Sequence, residues 1–249
     1  MGRYGGAGTA GGDRGGGLGR PAGPAGLYEP ARAATGLRAL ATAAGLVRAA
    51  DAGSLLAGGG LVHDHSGAVF PAAVVAAPFL LAVVRHGHPA AGATALGLLD
   101  DALAFAVRDQ YTRVATPYAE AAPICCALAD HLRGGSSLLA ARGREGKRLL
   151  ADAAGHWRFD AQEVIAEGDG IAVFGTLAGR FPDGCQAAEL HRADRVVALE
   201  RVVLLHPPEV GVSPDASLRV DGVGSDELVP PAVLFPARCG PGALARRAL

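Results

Sequence analysis

The chain matches itself at an offset of 45 residues. Residues 76–86 read AAPFLLAVVRH and residues 121–131 read AAPICCALADH. Ala76/Ala121, Ala77/Ala122, Pro78/Pro123, Ala82/Ala127 and His86/His131 are identical. Every other pair is apolar in both copies except Arg85 against Asp130. A helical hairpin cannot hide its apolar stripe alone, so units of such a period stack and share a core. A period near 45 lies in the range of two- and three-helix repeats. Composition bears on how this match is weighed. With 37 glycines, abundant alanine and Lys147 as the only lysine among 23 basic residues, the chain carries the bias of a GC-rich coding sequence. Alanine matches are then cheap, whereas the shared proline and histidine carry the signal.

Periodicity and punctuation place the elements around this match. Residues 30–49 read as a first helix, with Leu37, Leu40 and Leu46 at helical spacing. Pro71 opens a second, which runs to about Val84 and ends at His86-Gly87. Pro89 opens a third, with Leu96, Leu99, Leu103 and Val107 along one face. Thr116-Pro117 reads as the cap and first position of a fourth, and residues 136–156 as a fifth broken near Gly143 or Gly146. After Trp157 the texture changes. Two short strands flank the turn Glu167-Gly168-Asp169-Gly170, and the alternation over 195–204 favours a strand. SLRV and AVLF read as short edge strands, and the last thirty residues as mostly irregular.

The run Gly67-Ala68-Val69-Phe70-Pro71-Ala72, followed by Ala77-Pro78-Phe79-Leu80-Leu81, resembles HEAT-like (armadillo-type) helical repeat proteins of high-GC bacteria. The resemblance covers about 31–157. It implies a mainly α fold, a short α-α superhelix that binds a protein or peptide partner and performs no catalysis. A second resemblance lies in residues 156–205, which are similar to the closing strands of NTF2-like or SnoaL-like cone folds. That one implies a small-molecule enzyme of cyclase or isomerase type, with a pocket between 117–156 and the C-terminal strands. The predicted organisation is a disordered Gly-rich tail (1–26), helical repeats (27–157), a strand-rich unit (158–235) and an irregular tail (236–249).

The partner strip expected on the repeat is Arg85, His86, Asp130 and His131, since equivalent positions of stacked units fall on one ridge. Under the enzyme alternative, His156, Glu189 and His191 could serve as acid and base; strand alternation puts Glu189 and His191 on the same side. GxSxG, GxxxxGK[ST] and HExxH are all missing. Cys125, Cys126, Cys185 and Cys239 have no CxxC spacing, and the adjacent pair points to different sides of a helix. They read as small buried hydrophobes in a reducing cytoplasm. The His63-Asp64-His65 and His86-Gly87-His88 pairs sit about 20 Å apart along a helix, too far to share an ion. No metal and no cofactor are therefore expected. The net charge of -1 and a basic run (Arg133 to Arg148) without interleaved aromatics argue against nucleic acid. The uncharged stretch 66–84 contains Pro71 and Pro78 and much alanine, which argues for a buried helix rather than a membrane span. Without an apolar signal segment at the N-terminus, a cytoplasmic protein is expected.

Overall fold

The computed structural model describes residues 26–109, 112–192, 195–209 and 213–239. The Gly-rich stretch up to residue 25 and the end of the chain from residue 240 lie outside them. The expected mainly α superhelix is not what forms. The described residues are 43% helix and 29% strand, and their C-terminal strands close into a six-stranded barrel. A barrel satisfies every strand edge internally, so it has no need of a helical stack to cap it. A closed barrel beside seven described helices conflicts with a HEAT-repeat, armadillo or solenoid organisation.

The helical unit holds α1 (Pro30–Thr42), α2 (Leu46–Ala57), α3 (Pro71–His86), α4 (Pro89–Arg108), α5 (Ile124–Gly134), α6 (Ser136–Ala140) and α7 (Gly143–Ala154). Proline begins three of them, where a missing N–H costs nothing. The single helix expected over 30–49 is two, because the chain turns at residues 43–45. Helix α2 folds back on α1 so closely that a Cβ on Gly36 would sit 2.7 Å from Leu56. Two short hairpins interrupt the helices: β1 (Val62–His63) with β2 (Ala68–Val69), and β3 (Arg113–Val114) with β4 (Ala122–Pro123).

The second hairpin overturns the helix expected from Thr116-Pro117. The Thr116 hydroxyl does accept the Ala119 N–H at 3.0 Å, as a cap would. It closes a turn instead, a competition that Ser and Thr side chains often win. The hairpin also breaks the repeat. Pro78 lies inside α3, whereas Pro123 ends β4 and precedes α5. The same Ala-Pro thus lies in a helix in one copy and in a strand in the other.

The barrel runs β10-β5-β6-β9-β8-β7 and is antiparallel throughout. Its strands are β5 (Arg158–Glu167), β6 (Gly170–Ala178), β7 (Gln186–His191), β8 (Val196–His206), β9 (Asp215–Asp221) and β10 (Ala232–Pro236). The β5–β6 turn falls at Gly168-Asp169, with Gly168 at φ +63°. The segments expected as edges are not edges. Strand β9 lies between β6 and β8, and β10 closes the barrel between β5 and β7. Phe159, Val173, Leu190, Leu218 and Leu234 fill the interior together with Trp157, whose ring lies 4.7 Å from that of Phe181.

Strand β10 is the seam of the molecule. Ala232 and Leu234 face into the barrel, whereas Val233 and Phe235 join the core of the helical unit. A period of two lets one strand serve two cores. Helix α4 is long and apolar enough to cross a membrane by length and composition, but half of that stretch is buried in the protein. This packing is compatible with a soluble protein.

Candidate functional site

Arg85, His86, Asp130 and His131 all line one groove of about 340 Å³. The end of α3 supplies one wall and the end of α5 the other. Pro78, Leu81, Ala82 and Leu138 add apolar surface. The helices approach closely because Gly135 has no side chain: a Cβ there would stand 3.1 Å from Leu81. An apolar strip leads along α3 toward the groove, with Val75 82% and Phe79 37% exposed. Helical spacing of three and four residues puts Val75, Phe79 and Ala82 on one face.

The four residues differ in their freedom. Arg85 and His86 are exposed and make no ion pair among the described residues. Half-burial lowers the His131 pKa, against a smaller opposing pull from Asp130. Asp130 already serves the fold. Its carboxylate takes Arg133 from its own helix and Arg158 from β5. Arg158 in turn lies 4.0 Å over the Tyr118 ring and binds Asp160 at 3.0 Å. Arg158 and Asp160 are therefore partners in a network across the two units. The Tyr118 phenol is pushed up by burial and by the neighbouring Asp130.

The acid–base trio does not assemble as a trio. Glu189 and His191 do meet, with His191 Nε2 and a Glu189 carboxylate oxygen 3.1 Å apart. Both face outward from the barrel, toward the helical unit, because Leu190 between them faces inward. Arg113 on β3 donates to Glu189 at 2.8 Å, and His191 stands edge-on to Phe235 with centroids 4.9 Å apart. Burial alone would raise the Glu189 carboxyl, but the hydrogen bonds from His191 and Arg113 outweigh it and hold it below the ordinary range.

His156 goes elsewhere. It sits between α7 and β5, buried with Cys125, Cys126 and Cys239, and one ligand atom from each lies within 4.8 Å of all the others. Cys126 Sγ and Cys239 Sγ are 3.6 Å apart. Cys125 and Cys126 were expected on different sides of a helix, yet both sulfurs, from the first turn of α5, reach the same cluster. Hydrogen bonds from Cys126 and Cys239 hold the Cys125 thiol well below its usual range. Cys185, by contrast, is exposed. Spacing could not announce this group, since Cys126 and Cys239 are 113 residues apart and meet only once the barrel has closed. Its one local signal was the adjacent pair Cys125-Cys126.

Another open cleft, of about 620 Å³, lies between α2 and α4, with Arg32, His63, Asp64, His65 and Asp101 around it. Burial raises the Asp101 carboxyl, and the neighbouring charges of Asp100 and Asp64 add to the shift. No family model matches the chain, and no curated protein and no solved structure matches it either.

Proposed function

We propose that this is a non-catalytic protein that binds a protein or peptide partner in the groove between α3 and α5. The observation that carries the reading is the meeting of Arg85, His86, Asp130 and His131 around one apolar floor. Since Asp130 is neutralised by Arg133 and Arg158, the rim is left basic at Arg85. A complementary partner segment offers an apolar side chain to Pro78, Leu81 and Leu138 and a carboxylate to Arg85. Cysteines without CxxC spacing, three of them buried, suit a reducing compartment, and we place the protein in the cytoplasm.

The rival reading, a small-molecule enzyme with its pocket between 117–156 and the strands, draws on the Glu189–His191 hydrogen bond. Both side chains are committed within the protein, to Arg113 and to Phe235, which favours the binding reading.

Peptide display against the folded full chain tests the proposal. Enriched sequences are expected to pair a large apolar residue with Asp or Glu. Their binding is expected to be lost with Leu138→Arg and weakened at least about tenfold by Arg85→Glu. Peptides that bind both variants as well as the parent chain would refute the groove as the site.

A further inference from the structure

We propose that Cys125, Cys126, Cys239 and His156 form a structural zinc site that fastens the last barrel strand to the helical unit. The argument begins with distances. Zinc binds thiolate sulfur at about 2.3 Å and imidazole nitrogen at about 2.0 Å, almost always as a tetrahedron in closed sites. The edge of such a tetrahedron is about 1.6 times the bond, or roughly 3.5–3.8 Å. The Cys126–Cys239 separation is 3.6 Å, and no pair of ligand atoms exceeds 4.8 Å. Side-chain rotation of about 1 Å at the widest pair completes the polyhedron.

Chemistry then narrows the choice. A Cys126–Cys239 disulfide would hold the sulfurs at about 2.05 Å, and it would leave Cys125 and His156 unexplained. Three sulfurs and one imidazole exclude magnesium and calcium, which take oxygen, and match the Cys₃His set of structural zinc. Among the described residues, Nδ1 of His156 is buried without a hydrogen-bond partner, although the imidazole lies close enough to Cys125 to lower its thiol. Such an orphan is costly, and a metal bound through that nitrogen would satisfy it. With all four positions taken by the protein, none remains for water or substrate, so the site is structural rather than catalytic.

The surroundings suit the charge. Three thiolates and Zn²⁺ leave one net negative charge, and binding releases the thiol protons to solvent. The first turn of α5 places the positive end of its dipole at Cys125 and Cys126. Arg133 donates to the His156 carbonyl at 2.7 Å and to the Ala153 carbonyl at 2.8 Å, fixing the histidine backbone and bringing a cation beside the site. The ligands come from α5, from the junction before β5 and from the segment after β10. One ion therefore ties together three parts of the chain.

The test uses full-length protein purified with a reductant and without chelator. Elemental analysis is expected to find one zinc per chain. Exchange with cobalt(II) is expected to give thiolate-to-metal charge transfer and the visible bands of a tetrahedral sulfur-rich site. Cys185→Ser, outside the cluster, should keep the metal, and Cys239→Ser should lose most of it. Where Cys239→Ser does not fold, the parent chain carries the test. A strong zinc chelator should lower its Tm by at least about 5 °C, and zinc but not magnesium should restore it. Folded parent protein with no zinc and no cobalt spectrum after reconstitution overturns the proposal. So does a Cys126–Cys239 disulfide that persists in the reduced preparation.

Discussion

Arg113 and Glu189 join a hairpin of the helical unit to the barrel with a part-buried ion pair. Because the folded carboxyl lies below its ordinary value of about 4.5, the pair adds stability above that pH and loses it as pH falls through the lowered folded value. Glu189→Gln is therefore expected to be less stable than the parent at neutral pH, and the difference should shrink in acid. Urea midpoints measured from neutral pH down to about pH 3 check this; a constant difference would refute it. Arg133 is the other residue whose role is local and testable. It reaches the cluster through the carbonyl behind one ligand, besides its bonds to Ala153 and Asp130. Arg133→Gln is expected to weaken zinc about tenfold in a competition with a chelator, the usual cost of losing a supporting contact. An unchanged affinity would leave Arg133 with a purely structural role.

At the scale of elements, the sequence marked its helices by punctuation and showed its closing strand without that strand's place in the barrel. Pro71, Pro89 and Gly87 bound α3 and α4 in the structure, because a missing N–H and a glycine at a helix end act locally. Gly168-Asp169 likewise sets the β5–β6 turn. Strand β10 was legible as a strand, but not as the one that closes the barrel between β5 and β7. Its five residues, AVLFP, are all buried, so no polar alternation marks its place. The groove residues were legible because His86 and His131 recur in the sequence match. The metal ligands were not, since their proximity follows from barrel closure. Phe235 stands where the two cores meet and is fully buried. Phe235→Ala is expected to cost about 3–5 kcal/mol in urea unfolding, because no neighbour can collapse into the space without moving the seam. Gly146 offers the opposite test. A Cβ there would collide with the Leu139 carbonyl between α6 and α7, so Gly146→Ala should cost about 1–3 kcal/mol by overpacking.

For the whole molecule, the question is whether two cores behave as one folding unit. The helical core and the barrel core are separate clusters, and each is large enough to carry its own transition. What couples them is local: Val233 and Phe235 on β10, the Arg158–Asp130 and Arg113–Glu189 pairs, and the Cys₃His cluster. Trp157, the only tryptophan, lies inside the barrel core, so its fluorescence reports the barrel. Far-ultraviolet circular dichroism reports mainly the seven described helices. In the zinc-loaded protein the two signals are expected to change at the same urea concentration, since opening the seam exposes both cores together. Chelation removes the tie between α5 and the segment after β10, and Phe235→Ala removes the main apolar contact. Either change alone should lower both midpoints in step, because the other still couples the units. Combined, they should pull the two midpoints apart. Separate midpoints in the untreated parent would mean that the seam never coupled the cores, and coincident ones in the doubly altered chain would mean that the ion pairs alone suffice.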